Sequence, residues 1–309
     1  MVPRSSARLW LLFIALAFMW GSSYLFIKFG VETLEPFALI VARLAIGAAV
    51  LWVVVVGIAR ERLPRDARTY GHLVVMSLIN IVIPFYLITW AERSVDSALA
   101  AIINGAVPLF VVLPAAFFLH DEPVTVNRLV GLPLGFIGVV LLVAKDFGGG
   151  GSDAWGALAL LGSTIAYAAG NVYARRNIRH LRPLVPGLFQ VTFALVFSSV
   201  LMLALEGPPD AADFTPRAIL SVAWLGILGS ALAYIAYFRL LSEWGATRTS
   251  LLAYLLPAVG IALGVFVRNE RIDTATLAGT ALILGGIALA NSRYGRRRLY
   301  GRGAPGEPA

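Results

Sequence analysis

Ten runs of mostly apolar residues follow one another along the chain, at roughly residues 9–28, 36–58, 71–91, 97–119, 127–145, 155–174, 184–205, 217–239, 248–268 and 274–292. A helix needs about 20 such residues to cross a hydrocarbon core of ~30 Å. In lipid, every backbone polar group must be satisfied within its own segment, which leaves helices as the structure for runs of this kind. The spacing predicts an all-α membrane protein with ten transmembrane helices. Only 14% of the residues are charged, against roughly 25% in soluble domains, and no polar stretch is long enough for a soluble domain. The first run is too long for a signal-peptide core and nine more spans follow it, so it reads as an uncleaved helix.

The runs fall into two sets of five. Gly131 and Gly138 recur as Gly279 and Gly286, both 148 residues on, and Pro108 recurs as Pro257. The expected organisation is a first repeat at 9–145, a glycine-rich linker at 146–154, a second repeat at 155–292, and a basic, disordered cytoplasmic tail at 293–309. Five is odd, so the second copy enters the bilayer upside down relative to the first. With the N-terminus inside, 18 Lys and Arg fall in inside segments and six in outside ones, which places both termini in the cytoplasm. The loop at 60–68 holds four arginines, whereas its counterpart at 206–217 holds Glu206, Asp210, Asp213 and only Arg217. The charge bias reverses while the helix pattern stays, so the copies form inverted repeats.

Several functional classes lose support. A net charge of +8 suits nucleic acid, but the basic residues sit in short clusters between apolar runs, so no nucleic-acid partner is expected. The chain has no cysteines, which removes disulfides, thiolate metal sites and cysteine nucleophiles. His72, His120 and His180 make no metal-ligand spacing. Gly148-Gly149-Gly150-Gly151 is a joint and not a phosphate loop, because no Gly-Lys-Ser/Thr follows it. No Ser-His-Asp set or acidic motif appears, so neither enzymatic activity nor a cofactor is expected.

Polar side chains inside spans fall at helical spacing on six of the ten helices. They are Trp20, Ser23 and Tyr24 on the first; Asn80 and Pro84 on the third; Ser97, Asn104 and Pro108 on the fourth. The sixth carries Thr164, Tyr167 and Asn171, the eighth Ser230, Tyr234 and Tyr237, and the ninth Thr247, Ser250, Tyr254 and Pro257. Spacings of three, four and seven put each set on one face. Such faces either line a cavity or hydrogen-bond helix to helix. Helices two, five, seven and ten are apolar or small and read as outer scaffolding, with Gly131/Gly135 and Gly260/Gly264 allowing close backbone approach. Arg43 is the only basic residue well inside a span. It has three readings: an anchor that snorkels outward, a partner for helix-end carbonyls, or an anion site for a substrate carboxylate. No Asp or Glu lies near the middle of a span; Glu92, Asp96, Glu122, Glu243 and Glu270 are all at ends.

Taken in order, these residues resemble a known family. Trp20-Gly21-Ser22-Ser23, Lys28, Pro36 and Arg43 are similar to the opening of the EamA domain. Pro108, Glu122 and Gly131 to Val140 resemble its closing pattern, and Pro257, Glu270 and Gly279 to Ala290 resemble it again. Two departures stand out. Glu122 follows Pro108 by one residue more than Glu270 follows Pro257, and the second copy has Tyr167-Ala168 where the first has Trp20-Gly21. The resemblance, to the EamA branch of the drug/metabolite transporter superfamily, implies two inverted repeats around a central cavity, alternating access and export of small metabolites, often amino acids.

The expected protein is therefore a secondary transporter in a bacterial inner membrane, working as a monomer on a small-molecule substrate. The expected substrate-binding residues are Trp20, Ser23, Tyr24, Asn80, Asn104, Tyr167, Asn171, Ser230, Tyr234 and Tyr254, with Arg43 as an anion or structural residue. A facilitative channel, a carrier of other metabolites or drugs, and a membrane-embedded enzyme are the alternatives.

Overall fold

The computed structural model describes residues 4–118, 124–147, 152–178, 180–292 and 298–300. The turn containing Glu122, the four-glycine joint and most of the basic tail lie outside them. Apart from a two-strand antiparallel ladder, Val124–Thr125 (β1) with Arg298–Tyr300 (β2), every regular element described is helical. In chain order these are α1 (Ala7–Gly30), α2 (Pro36–Ile58), α3 (Ala67–Ala91), α4 (Ser97–Val112), α5 (Val126–Ala144), α6 (Ala154–Asn177), α7 (Leu184–Leu205), α8 (Pro216–Gly245), α9 (Leu252–Arg268) and α10 (Thr274–Asn291). All but α4 and α9 are long and apolar enough to cross a membrane; those two are shorter apolar helices.

Helix starts follow local chemistry. Asp66, Thr215 and Asp273 each accept a backbone N–H from the first turn of α3, α8 and α10, at 2.7, 3.3 and 2.8 Å. Pro36 and Pro216 stand in first turns, where their missing N–H costs nothing. The prolines inside spans behave differently from one another. The helix that begins at Ser97 stops at Gly105 and restarts at Val107, just before Pro108. Pro257 sits within an unbroken α9. These two helices cross where Gly105 meets that proline: a Cβ built on Gly105 would lie 2.5 Å from Pro257 Cγ.

Helices of the two halves pack on each other in reciprocal fashion. α5 lies along α10, α2 against α7, α4 against α9, α3 against α6 and α1 against α8. The tightest seam is α5 with α10. A Cβ on Gly131 would come 2.6 Å from Gly286 O, and one on Gly138 would come 2.6 Å from Gly279 O. Only a stripe of glycines lets two backbones approach so closely.

The outward faces are as apolar as the core. On α7, Leu188, Val191 and Ala194 are buried while Val196, Val200 and Leu203 are exposed. A helix that is hydrophobic all round has no aqueous face, and its outer side needs lipid. Turns of wider, π-type geometry interrupt α2 at Val53–Ile58, α3 at Leu78–Val82 and α8 at Trp224–Leu232. Nothing in the residue pattern announces them. Those of α3 and α8 contain Asn80 and Ser230. A π turn shifts the backbone ladder by one residue and re-aims the side chains and carbonyls next to it.

Candidate functional site

Phe37, Ile40 and Leu44 pack the inner face of α2, and Arg43 shares that face, 4% exposed. It does not snorkel outward. Its Nη2 donates to Ser230 Oγ of α8 at 3.3 Å, its guanidinium lies 4.4 Å from the centroid of the Phe85 ring, and its Nε has no partner. Tyr24, Tyr167, Tyr234 and Glu92 are its electrostatic neighbours. A buried cation with donor capacity left over, stacked on an aromatic face and ringed by phenols, is suited to an anionic group of a small molecule.

An aromatic shelf borders this centre. Trp20 Nε1 donates to Gly229 O at 3.2 Å, a carbonyl within the widened turn of α8. The Trp20 ring meets Tyr234 edge-on at 6.2 Å and Tyr237 at 5.3 Å. Ser23 turns its hydroxyl back to Met19 O at 2.9 Å. Trp20, Ser23, Tyr24, Arg43, Tyr167, Ser230 and Tyr234 are thus brought together at the junction of α1, α2, α6 and α8.

The amides have different surroundings. Asn80 donates to Gln190 Oε1 of α7 at 3.0 Å and lies against Gly170 of α6, with its own Oδ1 buried and unpartnered. Asn104 is 5% exposed and both its polar atoms are partnered: it donates to Ala100 O at 3.1 Å and accepts from Ser163 of α6 at 2.9 Å. With Thr164, which donates to Ile103 O at 3.2 Å, it fastens α4 to α6. Tyr254 is half-buried against the apolar core, and Asn171, one turn beyond Tyr167, is exposed.

The two ends of the bundle differ. At one end Glu32 pairs with Arg217 at 2.9 Å and Arg268 at 2.7 Å, and both guanidinium groups flank the Phe29 ring. Burial alone would raise the Glu32 carboxyl, but the hydrogen bonds from Arg268 and Arg217 outweigh it and hold it below the usual range. Glu35 pairs with Arg93 at 2.9 Å. Glu206 accepts the first N–H groups of α2 (Phe37 and Ala38), and Glu270 accepts those of α4 (Ser97 and Ala98). At the other end a cavity of about 370 Å³ opens between α3 and α6, lined by Asp66, Arg68, Thr69, His72, Arg176, Asn177 and His180. One end is closed by ion pairs between the two halves of the chain; the other presents a mouth lined mostly by basic and polar side chains.

Three participants were not singled out from sequence. Gln190 sits on a stretch that read as scaffold, where a lone glutamine in an apolar run was the one visible hint, and Phe85 is an ordinary aromatic on the third helix. Glu92 was placed correctly at a helix end, but that end is enclosed: its relative exposure is 0%.

The EamA-like transporter family model matches residues 8–144 and again 154–292. The uncharacterized transporter YoaV of Bacillus subtilis is 23% identical, covering 93% of this chain and 97% of its own. The uncharacterized inner membrane transporter YedA of Escherichia coli K12 is 25% identical, covering 89% and 88%. A probable amino-acid metabolite efflux pump of the same organism is 23% identical, covering 87% and 90%. A crystal structure 24% identical in sequence covers 92% of this chain and 96% of its own, with a TM-score of 0.64, and shares the fold. With two consecutive matches that span nearly all of its length, this chain belongs to the EamA-like transporter family, as a multi-pass membrane transporter and not an enzyme.

Proposed function

We propose that this protein exports amino acids or related amphipathic metabolites across a bacterial inner membrane by alternating access, through ten helices arranged as two inverted five-helix repeats. The observation that carries the reading is Arg43: a buried, incompletely bonded cation among aromatic rings, held between helices of both halves. A substrate carboxylate meets Arg43, its apolar part stacks on Trp20, Tyr167 and Tyr234, and Asn80 Oδ1 accepts from its polar groups. Ser23, Tyr24, Asn104, Asn171, Ser230 and Tyr254 shape the surrounding walls.

The reciprocity of the glycine contacts supports the repeat. Gly131 corresponds to Gly279 and Gly138 to Gly286, and the contacts run from Gly131 to Gly286 and from Gly138 to Gly279. Such an exchange of partners is the signature of a two-fold relation. In this arrangement the end sealed by Glu32, Arg217 and Arg268 faces outward, and the basic mouth between α3 and α6 faces the cytoplasm, with both termini there.

Proteoliposome uptake of radiolabelled L-phenylalanine, L-leucine and L-serine tests the reading. A carrier gives saturable uptake accelerated by the same amino acid on the far side. Flux that never saturates identifies a channel, and no movement of any probe removes amino acids as the substrate class. Thiol labelling of Arg65→Cys from inside and Pro209→Cys from outside tests the inversion.

A further inference from the structure

The carboxyl of Glu92 has an environment unlike that of any other acid described. It sits at the end of α3 with 0% exposure, and neither carboxylate oxygen has a hydrogen-bond partner. A cation is close by but engaged elsewhere: Lys28 Nζ donates to the backbone carbonyls of Glu92 and Val95, at 2.7 and 2.8 Å. The other groups facing Glu92 are Tyr24 of α1, Arg43 of α2, and Arg268 and Glu270 at the end of α9. Tyr167 of α6 faces Arg43 and Tyr24. On its own loop, Arg93 is committed to Glu35.

An ionised carboxylate without water or a donor is far costlier to bury than the neutral acid. Burial pushes the Glu92 carboxyl well above the usual carboxylate range, against the pull of Lys28. Two neighbours of Glu92 belong to the sealed end: Glu270 holds the start of α4, and Arg268 is part of the Glu32 cluster.

We propose that Glu92 is a proton-binding site of this transporter, occupied while the Glu32 end is closed and emptied to water when that end opens. The inference rests on the alternating-access reading above. Closing the end strips Glu92 of water, so closure takes up one proton. Opening hydrates the carboxylate, the proton leaves to that solution, and Lys28 and Arg43 are there to balance the charge. A more acidic solution at that end thus favours the closed state. Glu32 acts in the opposite sense, because its ionised form holds the loops together through Arg217 and Arg268 and acid weakens it. Glu32 titrates below the usual carboxylate range, so its effect falls in a lower pH window.

The chain has no native cysteine and Leu34 is buried at this end, so maleimide labelling of Leu34→Cys, normalised at each pH to the same cysteine in denatured protein, reports opening without background and without a substrate. The expected result is labelling that rises as pH increases above the usual carboxylate range, and loss of that pH dependence in Glu92→Gln, which stays closed throughout. Labelling of the otherwise wild-type protein that ignores pH overturns the proposal, as does a Glu92→Gln variant with the same pH profile. Should that variant fail to fold, infrared difference spectra of wild type across the same pH range decide. A carboxylic-acid band that fades as labelling rises supports the site, and its absence removes it. Neither readout uses an amino acid, so a wrong substrate class leaves this test intact.

Discussion

Arg43 of α2 donates to Ser230 of α8 across 187 residues of sequence, at 3.3 Å and with almost no exposure to solvent. The bond is long, leaves Nε unpaired, and joins the two halves of the chain where the α8 backbone widens. A charge so weakly committed within the protein is available to a ligand. Charge-assisted hydrogen bonds contribute about 1.5–3 kcal/mol, which is roughly 10- to 150-fold in affinity. Arg43→Gln is expected to raise the KM for a carboxylate-bearing substrate by about that factor. Arg43→Lys is expected to recover little of it, because the planar stacking on Phe85 is lost. Uptake kinetics of the two variants check this; an unchanged KM removes Arg43 from the substrate site.

Gly286 stands where three backbone atoms of α5 close in: a Cβ there would lie 2.6 Å from Gly131 O and Gly135 N and 2.7 Å from Gly135 Cα. Backbone cannot swing aside as a side chain does. Gly286→Ala is expected to cost about 1–3 kcal/mol through forced separation of α5 and α10. Gly71, helical and with nothing within 4 Å of its Cβ position, is the control. Gly71→Ala is expected to be neutral or to stabilise by about 0.5–1 kcal/mol. Thermal unfolding in detergent distinguishes the two.

Thr33 donates its hydroxyl to Asp213 O at 2.7 Å, across the sealed end. If that end must open for transport, Thr33→Cys with Asp213→Cys joined by a short bis-maleimide is expected to abolish uptake. Each single variant treated in the same way is expected to stay active. Uptake that persists in the cross-linked protein would mean that these loops do not part during the cycle.

Glu32 supplies the pH dependence of the ion-pair cluster itself. Its carboxyl is held below the usual range in this state by Arg268 and Arg217. A depressed carboxyl contributes its stabilisation in full above the unfolded value, about 4.3, and loses it as pH falls through the folded one. Acid loosening of the end, read by normalised labelling at Leu34→Cys, is expected to begin below that value, and Glu32→Gln is expected to show raised labelling already at neutral pH. Unaltered labelling in that variant would show that the other contacts suffice to keep the end shut.

Much of this protein was legible as pattern. The length and hydrophobicity of the runs predicted helices in lipid, because a bilayer offers the backbone no other partner. The 148-residue spacing of Gly131, Gly138, Gly279 and Gly286 announced two copies before any contact was known. Trp20, Tyr167, Ser230 and Tyr234 stood out because polar groups are costly in a span and recurred at helical intervals. What the tertiary structure alone decided was which of these groups still have bonding capacity to spare. Asn104 and Asn80 look alike in sequence, yet Ser163 and Ala100 consume the first while the second keeps a bare oxygen. Glu92 sits at a helix end, where the default is water, yet it is fully buried, facing Lys28, Arg43, Arg268 and Glu270 from other parts of the chain. Hydrogen-bond satisfaction and desolvation depend on neighbours distant in the chain, so no local pattern encodes them.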